Sequence, residues 1–300
     1  MVDCRSPSRP GGGEMHPVLR QVADQSRAVW SHPSNRGARV RAVGRAVRYQ
    51  VRARVLGRSS VARVGVRGRV VVRLHDWGSS QALYANPVDH AEMTFWRGFL
   101  RPGDLFLDVG ANVGIYSLWA ADRDAEVWAF EPDDEARGRL EENAALSGLA
   151  VAVHPCAVGA GSGTMRITEG LGTSNRMSAD DAPGTREVPV RSLDDLVGDR
   201  EVRGIKVDVE GVERLVVEGA ARLLDGARVD VLQLEWNHMS DVVLGEGRRP
   251  LWDLLRAHGY VGCRPENGRL VNLARDECPG HGADLFFASP RCAEGLDRLE

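Results

Sequence analysis

The stretch GIKVDVEGVE, at residues 204–213, places one lysine and two carboxylates within five positions. Lys206 is the only lysine of the chain, because every other basic residue that counts toward its 39 Lys+Arg is an arginine. Alternate residues of a β-strand point to the same face, so Lys206, Asp208 and Glu210 are predicted to share one face. A buried ammonium needs a partner, and Asp208 is the nearest carboxylate.

This cluster has two interpretations that remain open on the sequence. It is either a structural ion pair that braces the end of a strand, or a charged group that positions or activates a substrate hydroxyl. Both hold if Lys206 fixes Asp208 while Glu210 acts on the substrate. A cation held by Asp208, Glu210 and Glu235 is a third reading, but Lys206 competes for the same carboxylates, so no metal is predicted.

Strand-like and helix-like segments alternate regularly after Gly103. This alternation predicts an α/β fold with a mostly parallel sheet and helices on both faces. A hairpin that turns at Asn267–Gly268 predicts antiparallel strands at one edge of the sheet. The segments, in order, are LFLDVG, IYSLWAAD, EVWAFEPD, DDEARGRLEENAALSGL, VAVHPCAVG, IKVDVEG, VERLVVEGAARLL, VDVLQLEWN, PLWDLLRAHG, YVGCRPENGRLVNLA and ADLFFASP.

The first strand leads into a helix through Asp-Val-Gly-Ala-Asn-Val-Gly at 108–114. Gly110 is suited to a tight turn that a ligand can approach closely, and Gly114 lets the helix begin near the sheet. Asn112 stands where a dinucleotide fingerprint has its second glycine, which argues against a pyrophosphate ligand. The alternative is an ordinary strand–helix turn.

Three further residues follow strands two and three. Glu131 ends the second strand, where a carboxylate can accept hydrogen bonds from both ribose hydroxyls of an adenosine. The neighbouring Asp133 and Asp134 are already placed to cap the next helix. Cys156 and Ala157 end the third strand and are small enough for a flat base to lie against the sheet, although tight packing would explain them equally well.

Charge is divided unevenly along the chain. Residues 1–75 hold 16 arginines and three acidic residues, whereas the remainder holds 23 basic and 39 acidic residues. We divide the chain into a disordered tail at 1–15, an Arg-rich helical segment with a β-hairpin at 16–75, and a catalytic domain at 76–300. The Arg-rich segment either packs against the chain's own acidic domain, which we favour, or contacts RNA or an anionic membrane.

The five cysteines are never spaced C-x-x-C, and no apolar run is long enough for a signal peptide or a membrane helix. We therefore expect a cytoplasmic protein with no membrane partner, for which nucleic acid is an improbable ligand. A homo-oligomer is left open.

The motifs PGDLFLDVGANVGIYSLWAA, VWAFEPD, CAVG, VRSLDDL and IKVDVEGVERLVVEGAARLL, in that order, resemble the FkbM family of S-adenosylmethionine-dependent methyltransferases. The resemblance runs from about Tyr84 to Asn237. It implies a class I methyltransferase fold with a seven-stranded, mostly parallel sheet and S-adenosylmethionine as cofactor.

The resemblance also implies a role for individual residues. For the cofactor, these are Asp108, Gly110, Asn112 and Gly114 at the methionine end, Glu131 at the ribose, Pro132 and Asp133 beside the adenine, Cys156 and Ala157 flanking the base, and Glu92 as a further contact. Asp208 and Glu210 would face the transferred methyl group, with Lys206 beside them. Glu235 matches the family's E-x-H motif, whereas His238 stands one residue late.

The function expected from these residues is methyl transfer to a hydroxyl of a small molecule, a sugar or a polyketide-type natural product, with Asp208 or Glu210 as base. The alternatives are an RNA methyltransferase that grips its substrate with the Arg-rich segment, and a binding protein that retains the fold without the activity. The loop at 169–184, with Ser174 and Asn175, is expected to contact ligand.

Overall fold

The computed structural model of the chain describes residues 26–73, 77–168, 177–178, 184–273 and 277–296. The predicted disordered tail lies outside these ranges, and so do Ser174 and Asn175 of the predicted ligand-contacting loop.

The described strands form three sheets. They are β1 (Ser60–Val64), β2 (Gly68–Val72), β3 (Leu105–Val109), β4 (Glu126–Phe130), β5 (Ala152–His154), β6 (Ala157–Val158), β7 (Gly163–Thr168), β8 (Met177–Ser178), β9 (Thr185–Arg191), β10 (Val202–Val207), β11 (Val229–Leu234), β12 (Val261–Glu266), β13 (Arg269–Asn272) and β14 (Leu285–Ala288).

The α-helices with described bounds surround these sheets. They are α1 (Arg39–Leu56), α2 (Trp77–Tyr84), α3 (His90–Phe99), α4 (Ile115–Ala121), α5 (Asp134–Ser147), α6 (Leu193–Val197), α7 (Glu213–Glu218), α8 (Ala221–Asp225), α9 (Met239–Val243), α10 (Arg249–Ala257) and α11 (Pro290–Leu296).

The central sheet has eight strands in the order β13-β12-β14-β11-β10-β3-β4-β5. Strands β11, β10, β3, β4 and β5 are parallel to their neighbours, and β14 is antiparallel to both β11 and β12. We expected seven strands, and that count is wrong. Strand β12 pairs with β14 through Val261–Cys263 and with β13 through Cys263–Glu266, so both strands of the terminal hairpin join the sheet.

The central sheet separates two hydrophobic clusters. Leu105, Leu107 and Val109 of β3 belong to one cluster, together with residues of α7 and α10. Phe106 of the same strand belongs to the other cluster, with residues of α3 and α4. Alternate residues of a strand point to opposite faces, so helices cover both faces and the carboxyl ends of the strands remain available for a site.

A second sheet of four strands, in the order β6-β9-β7-β8, lies beyond β5. The segment VAVHPCAVG, which we predicted as one strand, is divided between the two sheets. Its first part is β5 and pairs with β4, whereas its last part is β6 and pairs with β9.

The N-terminal segment is joined to the rest of the protein in two ways. Helix α1 buries Ala42, Ala46, Tyr49 and Ala53, so it packs through small and aromatic side chains while its arginines are exposed. The turn between β1 and β2 is held by Asp122, which accepts hydrogen bonds from the backbone N–H groups of Val66 (2.9 Å) and Arg67 (2.8 Å).

In the ranges given above, no helix combines the length and the apolar character needed to cross a membrane.

Candidate active site

A cavity of about 310 Å³ opens at the carboxyl ends of the parallel strands. This is the position at which open α/β sheets bind their ligands. Its wall brings together most of the predicted site residues, which are Asp108, Gly110, Asn112, Glu131, Pro132, Asp133, Ala157, Lys206, Asp208, Glu210 and Glu235. Three predicted residues, Glu92, Gly114 and Cys156, are not among the residues that line it.

Gly110 is required by the turn that follows β3. Its φ is +77°, and a Cβ at this position would lie 1.9 Å from the backbone oxygen of Asp208. A side chain would therefore separate the two strand ends that bracket the cavity. Gly114 begins α4 with φ +89°, and a Cβ there would lie 2.9 Å from Leu140. Gly114 thus shapes the site through packing.

Glu131 is oriented by two backbone donors. Its Oε2 accepts from the N–H of Asn112 and its Oε1 from the N–H of Asp133, both at 2.8 Å. Only 7% of the residue is exposed. Burial raises the pKa of the Glu131 carboxyl to about 7, against the opposing effect of the two N–H groups.

Asp108 and Asn112 offer buried acceptor atoms to the cavity. Asp108 Oδ2 accepts a hydrogen bond of 2.5 Å from Ser117, and burial raises the pKa of its carboxyl. Asp108 Oδ1 and Asn112 Oδ1 are buried and have no hydrogen-bond partner among the described residues. Buried acceptors of this kind are costly unless a ligand supplies a donor.

The predicted adenine end is built differently from the expectation in one respect. Ala157 and Val158 of β6 line the cavity, and Met165 and Ile167 of β7 join them. Cys156 packs into the hydrophobic cluster that contains Leu105 instead. The Asp133 side chain caps α5 by accepting from the N–H of Ala136 at 2.8 Å.

Glu92 lies on α3, where burial raises the pKa of its carboxyl. The acidic residue that α3 contributes to the cavity wall is its N-cap residue Asp89. Asp89 Oδ2 accepts a hydrogen bond of 2.9 Å from the hydroxyl of Tyr116, which also lines the cavity. The sequence offered no signal for either residue beyond the acid-containing helix before the first strand.

Lys206 and Asp208 form the expected ion pair. Lys206 Nζ donates to Asp208 Oδ2 at 2.8 Å, and the side chains are 8% and 39% exposed respectively. Burial alone would lower the pKa of Lys206, but the charges of Asp208 and Asp108 raise it above its usual value. Glu210 follows in the cavity wall with φ +55°.

Glu235 ends β11 on the same side of the cavity. Burial, together with the charges of Asp208 and Glu210, raises the pKa of the Glu235 carboxyl to about 9. Its Oε2 is buried and unpartnered within the part of the chain that is described. Glu235 is therefore protonated at neutral pH and offers an O–H donor. His238 begins α9 and does not line the cavity.

In the described ranges, no group of three or more His, Cys, Asp or Glu side chains is arranged to hold a metal ion.

Known proteins resemble the chain over this same region. The FkbM methyltransferase domain model matches residues 108–261. The 31-O-demethyl-FK506 methyltransferase FkbM of Streptomyces tacrolimicus is 31% identical over 199 residues, which cover 54% of this chain and 74% of that protein. The AMB antimetabolite synthetase AmbE of Pseudomonas aeruginosa is 29% identical over 238 residues, which cover 62% of this chain and 11% of that protein.

A distant likeness to solved structures accompanies these relatives. The 16S rRNA N2 G1207 methyltransferase of T. thermophilus, in complex with AdoMet and guanosine, is 16% identical and covers 77% of this chain and 50% of its own. Its TM-score is 0.41, so it bears on neither the fold nor the function of the present protein. The family match covers half of the chain and includes the turn at Gly110, Glu131 and the Lys206 cluster, and the chain belongs to the FkbM methyltransferase domain family.

Proposed function

We propose that the protein is an S-adenosylmethionine-dependent O-methyltransferase that acts on a hydroxyl of a small molecule, a sugar or a polyketide-type natural product. The relative from Streptomyces tacrolimicus is named for O-methylation of such a molecule, which supports this acceptor class. When bound, the cofactor supplies a methyl group activated by a sulfonium. All other steps are assigned to residues of this chain.

The observation that carries the proposal is the orientation of Glu131. Two backbone N–H groups hold both of its oxygens at the cavity wall, where the remaining lone pairs can accept from vicinal ribose hydroxyls. The unpartnered oxygens of Asp108 and Asn112 suit the ammonium of the methionine moiety. Pro132, Asp133 and Ala157 line the part of the cavity assigned to the adenine.

Lys206, Asp208, Glu210 and Glu235 are assigned to the acceptor. As the acceptor oxygen attacks, its proton passes to a carboxylate, for which Asp208 or Glu210 is suited. Glu235 holds a proton at neutral pH and so serves as a hydrogen-bond donor to the acceptor rather than as the base. Lys206 keeps Asp208 ionised by pairing with it.

The proposal is tested by calorimetric titration of S-adenosylmethionine, S-adenosylhomocysteine and NAD into the wild type and two variants. We expect micromolar binding of the two sulfur nucleosides and none of NAD. Glu131→Ala should weaken binding by about a hundredfold, because two hydrogen bonds to a carboxylate are lost.

Glu135→Ala is the matched control, since Glu135 is an exposed glutamate in the first turn of α5. It should bind as the wild type does. A wild type that binds neither sulfur nucleoside would refute the catalytic assignment and leave the Lys206 cluster as a structural ion pair.

A further inference from the structure

A row of polar side chains crosses the centre of the main sheet. Lys206 of β10 is in register with Asp108 of β3 on one side and with Gln233 of β11 on the other. Register neighbours in a parallel sheet point to the same face. Asp108, Lys206 and Gln233 are 1%, 6% and 0% exposed, so this polar row is buried in a layer that is otherwise apolar.

Tyr116 of α4 covers this row. The Lys206 Nζ lies 4.7 Å from the centroid of its ring, within the range of a cation–π contact. The far end of the ring is tethered, because the Tyr116 hydroxyl donates to Asp89 Oδ2 (2.9 Å) and accepts from Gln233 Nε2 (3.0 Å).

The orientation of the Gln233 amide is itself fixed by two contacts. Its Nε2 also donates to Asp284 Oδ2 at 2.6 Å, and its Oε1 accepts from the indole N–H of Trp96. Reversing the amide would set an acceptor against a carboxylate and a donor against a donor. The position of the Tyr116 hydroxyl is therefore determined by three elements, which are the N-cap of α3, β11 and the segment before β14.

Lys206 has two carboxylates within reach of its charge. Asp108 is its neighbour across the sheet, and Asp208 follows it by two residues along the strand. The described hydrogen bond goes to Asp208, whereas Asp108 Oδ1 is buried without a partner in the described ranges. The other charged or titratable groups that act on Lys206 are Asp284 and the covering Tyr116.

We propose that Tyr116 is a positioning residue whose tethered ring directs the Lys206 ammonium to Asp208 and away from Asp108. The purpose of this selection rests on the proposed function. Asp108 keeps a buried oxygen available for the cofactor ammonium, and Asp208 is held at the cavity for the acceptor hydroxyl. Asp284 acts one step further back, by fixing the Gln233 amide that holds the Tyr116 hydroxyl.

The test uses the fact that Lys206 is the only lysine. Protein labelled with ¹⁵N- and ¹³C-lysine gives one set of side-chain NMR signals, recorded without cofactor. In the wild type, the ring should shift the Lys206 methylene protons upfield and slow the exchange of its ammonium protons with water. In Tyr116→Phe, which keeps the ring and loses both tethers, exchange should be at least about threefold faster, with a changed methylene shift.

Tyr260→Phe is the matched control. Tyr260 is also buried, and its hydroxyl donates a hydrogen bond of 2.7 Å to the backbone oxygen of Val229, at the other end of β11. It loses a comparable hydrogen bond and should leave the Lys206 signals as they are in the wild type. Asp284→Asn should move the signals in the same direction as Tyr116→Phe, and it decides the question if Tyr116→Phe does not fold.

Unchanged Lys206 signals in the folded Tyr116→Phe protein would overturn the proposal, and so would equal changes in Tyr116→Phe and Tyr260→Phe. Titration of S-adenosylhomocysteine separates this outcome from the proposed function. Tyr116→Phe should bind it at least about threefold more weakly, because Lys206 then competes for Asp108. A wild type that binds no cofactor but shows the expected NMR changes would refute the function and retain the positioning role.

Discussion

The carboxyl groups around the acceptor end of the cavity differ in how they hold protons. Asp208 is paired with Lys206, whereas Glu235 lies in a position where burial and neighbouring carboxylates raise its pKa to about 9. An unfolded glutamate releases its proton near pH 4.3. The folded state therefore binds a proton that the unfolded state does not, and it does so from about pH 5 to pH 9.

This difference predicts how stability depends on pH. Because the native state holds the additional proton, the free energy of unfolding should fall as the pH rises from about 5 to 9. Glu235→Gln should flatten this slope and gain about 1 kcal/mol or more at the alkaline end. Urea unfolding at several pH values measures it.

Glu266→Gln provides the control, since Glu266 is an exposed glutamate on β12. Its pH profile should follow the wild type. If Glu235→Gln shows the same alkaline decline as the wild type, Glu235 is ionised in the native state and remains a candidate base.

Sequence reasoning located some of these residues and missed others for a physical reason. Lys206 and Glu131 were recognisable because each interrupts or ends an apolar strand with a charge. Tyr116 reads as an ordinary apolar position of a helix, and Asp284 as part of a loop. Their importance comes from contacts between distant elements, which local patterns do not encode. The lone Gln233 in VDVLQLEW was the one available signal.

At the scale of elements, Asp122 joins the β1–β2 hairpin to the end of α4. Its side chain is 1% exposed and pairs with Arg97 at 2.9 Å in addition to its bonds to the N–H groups of the turn. Burial raises the pKa of the Asp122 carboxyl, but the N–H of Val66 and the Arg97 guanidinium outweigh it, so the net pKa is lowered. The carboxylate form is the one that the fold stabilises.

Asp122→Ala should therefore lower the free energy of unfolding at pH 7 by about 2–3 kcal/mol, because buried donors lose their acceptor. Since the folded pKa is depressed, the contribution is present above the unfolded pKa of about 3.9 and is lost as the pH falls through the folded value. The stability difference from the wild type should thus shrink near pH 3. The exposed Asp199→Ala, at 97% side-chain exposure, is the control and should cost little at either pH. A wild-type stability for Asp122→Ala at pH 7 would contradict the assignment.

The elements themselves followed from periodicity where strands were apolar on both faces. The run from β3 through α4 to β4 is predicted closely because each strand is continuously hydrophobic and each turn carries glycine or proline. The third strand was not, because its two halves are equally apolar and only their partners assign them to different sheets. The eighth strand was missed because hairpin strands join or leave a sheet according to tertiary contacts.

At the scale of the whole molecule, the N-terminal segment is part of the site. Tyr49, Val64, Val70 and Val72 share a hydrophobic cluster with the helices and strands of the central sheet. Gly78, Gln81, Val88 and Asp89, which follow this segment, line the cavity. The charge imbalance along the chain therefore does not correspond to a separation between a binding arm and a catalytic body.

The burial of Lys206 also has a consequence for chemical labelling. At 6% exposure and with its nitrogen paired, the only lysine ε-amine of this chain is shielded from acylating reagents as long as the sheet is intact. An N-hydroxysuccinimide ester should then modify that amine only during transient opening of the strand ends, at a rate that reports the frequency of opening. Saturating S-adenosylhomocysteine should slow this acylation, as peptide mass spectrometry would show. Acylation at the rate of a free lysine would mean that the strand ends open freely.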